Sequence, residues 1–525
     1  MSVTAPAQPI APESAPSPSG HKDGLREKHA HAGVAMAIAT LAMGATSGIQ
    51  ALLYLSSFGI NGRTDGFFVA FALYTSFGVF SQSIRVTSAP LLVGDRPRLA
   101  TGEFAIALVA IAVPVAIATV PLAGPLAALL APGLGETGRG VTESALPILG
   151  LAMILQLWAA GGATLLAVHD RFDRIAAAYI AGAVSGLVVY LAVSGAAGEL
   201  SLGWSMLAMA VVTCGLMLDG TRASRTEATA VGARRTSISP RRLGHCAWLV
   251  LGSTMVYLAF NGLYVVTLAF ASNYSAGDAT VLSYAYLFAS YLVAATGFAL
   301  GMSRIADMRR GALADWREVI ADTVPAGFRY AMLLVAPALA ALIAGGATLI
   351  GDVLPSSFDP SQVAQLRVFG ALLCAWTVAA LLVNLLLPAM FALDRAKVVN
   401  ALAIPVFILH VAITALGGAL FGANGVVGAF FIVPMIFAVV LLVVGAGRGA
   451  GAIARELAAD GLRFAFFAAA CFGIGAAIGT AVGTGVETPL LTVGIGSILY
   501  GAVAALRLAP DQMRLLIGAV RPASA

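Results

Sequence analysis

Between residues 33 and 508 the chain is written in apolar runs separated mainly by short polar segments. The runs fall at 33–59, 67–93, 103–131, 143–168, 175–196, 201–218, 245–272, 280–303, 328–351, 368–392, 398–418, 423–446, 462–482 and 488–508. A bilayer core about 30 Å thick takes a helix of about 20 apolar residues, because in lipid every backbone polar group must bond within its own helix. A soluble fold could bury one such run but not a dozen. The pattern predicts an all-α polytopic membrane protein of about fourteen transmembrane helices. Residues 1–31 are rich in Ala, Pro and Ser and then charged, a composition that packs no core and predicts a disordered tail. That leading segment is too long for the n-region of a signal peptide, so the first run reads as a retained helix.

Charge supports the helix count independently. With the N-terminus placed in the cytoplasm, 25 of the 30 Lys and Arg residues fall in the cytoplasmic segments, and the outer loops hold only Arg63, Arg139 and Arg367. A wrong count would put this alternation out of phase, so both termini are expected inside. Only 10% of the residues are charged, against about 25% in soluble chains. The net charge of +5 is spread over loops without an accompanying aromatic-basic surface, so no nucleic-acid partner is expected. Cys214, Cys246, Cys374 and Cys471 lack ligand spacing and read as small buried side chains.

The two sides of the charged segment Asp219–Arg242 look alike. Asp65-Gly-Phe-Phe-Val-Ala-Phe71-Ala72 is matched 213 residues later by Asp278-Ala-Thr-Val-Leu-Ser-Tyr284-Ala285, and Asp170-Arg171 is matched 224 residues later by Asp394-Arg395. The organisation expected is a tail (1–31), a six-helix N-lobe (32–218), a cytoplasmic linker (219–244), a six-helix C-lobe (245–446), and two further helices with a cytoplasmic tail (447–525). A duplicated bundle suits alternating access about a central site.

Candidate chemistry is sparse. The chain has no P-loop, HExxH or GxSxG motif and no metal-ligand cluster, and its loops are short, which argues against an enzyme. Neither cofactor nor metal is expected. Arg85 lies within the second run among Ser81, Gln82, Ser83, Thr87 and Ser88. A charge at membrane depth costs at least about 2.5 kcal/mol and calls for a cavity, a partner or snorkelling. In a cavity its planar donors would suit phosphate oxygens. Arg85, Gln50, Gln82, Asn261 and Asn384 are therefore the substrate-pathway candidates, although interhelical hydrogen bonding explains Gln50, Asn261, Asn384 and also Gln156 equally well. Asp65 and Asp278, at outer helix starts, suit capping and also gating or ion coupling. His410 reads as a packed histidine, and Pro114, Pro337, Pro405 and Pro434 as sites of helix kinks.

Ser57-Phe-Gly-Ile-Asn-Gly-Arg-Thr-Asp65-Gly-Phe-Phe-Val-Ala-Phe71 resembles the first-to-second helix signature of the MurJ/MviN-type lipid II flippases, in the superfamily of multidrug exporters and polysaccharide flippases. Leu282-Ser-Tyr284-Ala285-Tyr-Leu is similar to the family's eighth-helix motif, and the fourteen predicted helices agree with it. The resemblance implies a V-shaped pair of lobes moving a polyprenyl-pyrophosphate-linked saccharide between leaflets of the bacterial plasma membrane. It also implies cavity arginines, but the matching positions are Gly44, Gln50, Ala72, Gly78 and about Leu287, none of them basic. The expected partners are a lipid-linked anionic substrate and membrane lipids, with the chain acting as a monomer and with membrane potential or a monovalent ion as the energy source. The alternatives are an ion-coupled exporter of small amphiphiles and a membrane scaffold of an envelope-biosynthesis complex.

Overall fold

The computed structural model describes residues 42–43, 45–92, 101–169, 171–228, 240–293, 316–353, 359–392 and 395–508. Among them there is no strand. The helices are α1 (residues 45–58), α2 (Gly62–Leu92), α3 (Thr101–Thr119), α4 (Ala123–Leu130), α5 (Glu136–Val168), α6 (Phe172–Ala197) and α7 (Ser201–Ala228). After the linker come α8 (Pro240–Ala271), α9 (Asp278–Val293), α10 (Trp316–Ala341), α11 (Ala347–Val353) and α12 (Pro360–Ala392). The chain then continues with α13 (Ala396–Ala446), α14 (Ala450–Val482) and α15 (Glu487–Val503). The protein is an all-α, multi-pass membrane protein. Eight helical segments are long and apolar enough to cross a bilayer by length and composition, and two of these contain more than one apolar run.

Those two segments fold back on themselves at glycine. Gly198 (φ 55°, ψ −138°) separates α6 from α7, which pack side by side. Gly422 (φ 61°, ψ −145°) breaks α13 in the same way into arms 396–421 and 423–446. Positive φ of this kind favours glycine, and here it turns a helix that would otherwise overshoot the bilayer. The glycines are 224 residues apart, the same spacing as Asp170 and Asp394, which themselves lie outside the described residues. A Cβ on Gly425 would meet the Gly417 carbonyl oxygen at 1.9 Å, so the two arms of α13 touch at backbone distance.

The third apolar run, 103–131, is longer than one span requires, and a turn divides it. Residues 120–122 form a turn between α3 and α4. Pro121 lies in this turn, lacks the N–H a continuing helix needs and crowds the preceding turn. The expected prolines Pro114, Pro337, Pro405 and Pro434 all lie inside helices, joined by Pro147, Pro325 and Pro388.

Buried apolar side chains from both sides of the linker form one continuous core. Large exposed apolar side chains such as Val188, Leu191, Phe421 and Phe466 cover the outside, as a lipid-facing surface requires. α14 and α15 pack through Gly475, Gly479 and Gly496, where an added Cβ would meet the partner helix at 2.5–2.7 Å. This pair leans on α10, where Arg329 reaches Asp460 at 2.5 Å and Glu456 at 2.7 Å.

Candidate functional site

The chain segments before and after the 219–244 linker, the halves of the predicted repeat, meet at the end of the bundle that carries Asp65 and Asp278, the predicted outer end. α2 begins with a local cap: Asn61 Oδ1 accepts the N–H groups of Arg63 (2.9 Å) and Thr64 (3.2 Å), and Thr64 Oγ1 accepts the Asn61 N–H at 3.0 Å. Side-chain oxygens here satisfy first-turn amides that have no intrahelical partner.

α9 is capped differently. The residue before its first helical position is Gly277 (φ 100°), which has no side chain to cap with. The missing acceptor comes from the other half. The fully buried Asp65 carboxylate accepts the Gly277 N–H at 2.6 Å, the Thr280 N–H at 2.8 Å and the Thr280 hydroxyl at 2.6 Å. A carboxylate aimed at unpaired amides of a helix start combines charge-assisted hydrogen bonds with the favourable end of the helix dipole. The Thr280 hydroxyl also lies 3.2 Å from that of Thr64, and Ile60 packs where a Gly277 side chain would stand.

Asp278 occupies the equivalent place in the repeat but makes no such crossing. Its carboxylate accepts the Ser275 N–H at 3.1 Å and the Gln365 side-chain amide of α12 at 2.5 Å, both within the second half. The sequence pairs Asp65 and Asp278; the structure separates them into one residue that joins the halves and one that orders its own half.

Contacts between the halves continue along the helices. Phe68 packs edge-to-face on Tyr284 with ring centroids 5.2 Å apart, and the Tyr284 hydroxyl donates to the Ala51 carbonyl at 2.7 Å. Tyr54, Phe58, Phe67 and Phe71 complete an aromatic layer around Phe68. Deeper still, the Ser76 hydroxyl donates to the Asn261 carbonyl of α8 at 2.8 Å. At 1.5 Å per residue, Ser76 lies roughly 16 Å along α2 from Asp65. Among the described residues the seal is therefore layered: carboxylate-to-amide and carboxylate-to-hydroxyl bonds at the rim, aromatic rings beneath, and the Ser76–Asn261 hydrogen bond deeper still.

Gln50, Asn261 and Asn384, the predicted pathway residues whose side chains are described, are not gathered into one cluster. Asn261 meets the other half through its backbone carbonyl, while its side-chain amide donates to Tyr257 of its own helix at 2.8 Å. Gln50 is buried beside Gly186, whose carbonyl accepts the Ser205 hydroxyl, so it packs among α1, α6 and α7. The Asn384 amide donates to Ala380 of its own helix at 2.8 Å, and Gln156 donates to the Tyr74 hydroxyl at 3.2 Å. Arg85 and Gln82 lie on α2 beyond Ser76, and their side chains are outside the described residues. His410 is fully buried, with Nε2 3.0 Å from both the Leu263 carbonyl oxygen and the Thr267 hydroxyl oxygen. The carbonyl can only accept, so Nε2 carries the proton.

Sequence reasoning passed over Thr280, Tyr284 and Ser76 as contact residues. A usable signal was present at Gly277: a glycine where a side-chain cap is expected leaves amides that something else must satisfy. Among the described residues, no group of three His, Cys, Asp or Glu side chains could hold a metal ion.

No family model matches the chain, and no curated protein matches its sequence. Solved structures do match. The inward closed conformation of the lipid II flippase MurJ superposes with a TM-score of 0.65 at 14% identity, covering 92% of this chain and 99% of that one. An inward-facing multidrug resistance MATE family transporter of the MOP superfamily matches with a TM-score of 0.59 at 14% identity, over 80% of this chain and 99% of that one. A MOP superfamily transporter from Pyrococcus furiosus, described as having a binding pocket of reverse polarity, matches with a TM-score of 0.57 at 14% identity, over 81% and 96% of the two chains. The chain thus has the fold shared by MurJ and the MATE transporters, and the likeness runs through nearly its whole length.

Proposed function

We propose that the chain is an alternating-access transporter that moves a lipid-linked anionic saccharide, of the polyprenyl-(pyro)phosphate class, across the bacterial plasma membrane without covalent chemistry. The observation that carries this reading is the Asp65 carboxylate seated on the first turn of α9. It closes one end of the interface between two repeated halves through a small number of polar bonds. These polar bonds can be exchanged for bonds to water when the halves part, while the aromatic and apolar layers beneath lose their burial. In this reading the six-helix lobes rock about the space beyond Ser76, and Arg85 supplies donors to the headgroup. Both termini and the 219–244 linker face the cytoplasm. Membrane potential or a monovalent ion supplies the energy.

The test uses the full chain in proteoliposomes containing a fluorescent polyprenyl-pyrophosphate disaccharide, with a membrane-impermeant quencher added outside. Under an imposed potential, wild-type protein is expected to equilibrate the probe between leaflets, and Arg85→Gln to slow it more than Arg85→Lys at equal inserted protein. Probe that stays in its leaflet, while the same vesicles move a small amphiphilic cation, would overturn the saccharide reading in favour of an exporter. Failure to move either probe would overturn transport of both classes.

A further inference from the structure

α14 sorts its charges onto different neighbours. Its two carboxylates, Glu456 and Asp460, are both taken by Arg329 of α10. Arg463 stands one turn beyond Asp460 and is exposed, and among the described residues no carboxylate pairs with it. Its Nη2 donates instead to the Arg507 carbonyl at 2.6 Å, in the turn Ala504–Leu508 that continues α15. Carbonyls at a helix C-terminal end favour a cation. The bond holds the Arg463 guanidinium beside the root of a second exposed arginine, and Arg507 likewise has no carboxylate partner among the described residues. Two positive charges from different helices are thus kept side by side. Like charges held this close repel, and an anion seated between them removes that cost.

The hydrogen bond to Arg507 uses one N–H of Arg463, and the rest of the planar donor set stays open to phosphate oxygens. What carries the phosphate follows from the surroundings. Leu462, Phe466 and Leu506, each beside an arginine or one turn from it, are 73%, 68% and 76% exposed. On a membrane protein such side chains face acyl chains, so the arginines stand at the edge of a lipid-covered surface. Other arginines at the predicted inner end lack this combination. Arg171 lies 3.8 Å from Asp173, Arg174 donates to the Gly220 carbonyl at 3.4 Å, and Arg455 donates to Gly451 of its own helix at 3.2 Å. We infer that Arg463 and Arg507 hold the phosphate of an anionic phospholipid whose acyl chains lie along Leu462, Phe466 and Leu506. Basic clusters at the cytoplasmic ends of membrane helices recognise anionic headgroups in this way. The site takes its orientation from the proposed function, in which these helix ends face the cytoplasm. It is separate from the cargo and holds whatever the chain transports.

The test is native mass spectrometry of the full chain in uncharged detergent, titrated with dioleoyl phosphatidylglycerol and, separately, with dioleoyl phosphatidylcholine. The two lipids share their acyl chains and differ in net charge. The parent protein is expected to retain phosphatidylglycerol in preference, and inorganic phosphate, which has no acyl chains, is expected not to displace it. Arg507→Gln keeps the backbone carbonyl that Arg463 bonds, so it removes a charge without removing that anchor. It should weaken phosphatidylglycerol binding roughly fivefold, and the double variant with Arg463→Gln roughly thirtyfold, with phosphatidylcholine unaffected. Arg455→Gln should bind as the parent does. If the double variant does not fold, Arg507→Gln alone decides. Equal phosphatidylglycerol affinity in the parent and Arg507→Gln overturns the site, as does a parent that does not distinguish the two lipids. Displacement by inorganic phosphate would give the arginines to a free anion and overturn the lipid assignment. Binding in detergent depends on neither transport nor orientation, so failure here leaves the proposed function standing.

Discussion

Asp65 and Thr280, 215 residues apart in the chain, are joined by two hydrogen bonds, one to the Thr280 N–H at 2.8 Å and one to its hydroxyl at 2.6 Å. The carboxylate that begins α2 thereby serves as the cap of α9. One half of the molecule lacks a cap of its own at this position, and the other half supplies it.

Asp65→Ala is expected to open the predicted outer end. Hydrogen bonds to a charged group contribute about 1.5–3 kcal/mol each, so even if water makes good all but one of the three, losing the carboxylate should shift the closed-to-open ratio by at least roughly ten- to a hundredfold. Asp278→Ala should leave that ratio nearly unchanged, because its bonds to Ser275 and Gln365 stay within one half. The measurement is the rate at which a membrane-impermeant maleimide labels a cysteine placed at Ser76. Equal rates in the two variants would contradict the distinction between the aspartates.

Thr64→Cys combined with Thr280→Cys should form a disulfide across the halves, since the two hydroxyl oxygens already lie 3.2 Å apart. Oxidation is expected to stop transport and reduction to restore it. Undiminished transport by fully oxidised protein would show that this end need not open.

Gly66→Ala should destabilise the first half. Its methyl carbon would stand 2.0 Å from the Gly138 carbonyl oxygen, and the same approach lets the Thr142 hydroxyl donate to the Gly66 carbonyl at 2.8 Å. Overpacking of this kind costs about 1–3 kcal/mol. Gly140→Ala, with no atom within 4 Å of the new methyl, serves as the neutral comparison. Thermal unfolding in detergent, followed by the loss of monodisperse protein, should separate the two variants clearly.

Single cysteines at residues 20 and 230, in a cysteine-free background, should resist labelling by an external impermeant reagent in sealed cells, whereas one at Ser275 should react. This follows from the concentration of basic residues on alternate loops. Strong external labelling at residue 230 would reverse the proposed orientation.

Much of the fold is legible in one dimension because lipid imposes a local rule. Each span must satisfy its own backbone, so run length and loop charge reveal helices without any knowledge of neighbours. Turns at Gly198 and Gly422 fall where the apolar runs break, since that chain reversal is also a local event. The interruption after α3 was readable at Pro121 for the same reason.

What the halves do to one another was not readable. Asp65 and Asp278 share their surroundings in sequence, and only the packed structure shows that the first carboxylate crosses to α9 while the second turns to Gln365. Asn261 and Asn400 are likewise both polar residues in apolar runs, yet one bonds its own helix and the other bonds Gly252 and Val256 of α8. The physical reason is that a hydrogen bond is decided within about 3 Å by the direction in which a side chain faces another element. Periodicity and hydropathy specify that an element exists and how deep it sits, whereas the rotation and partner of each polar side chain are set by the packing of helices distant in the chain.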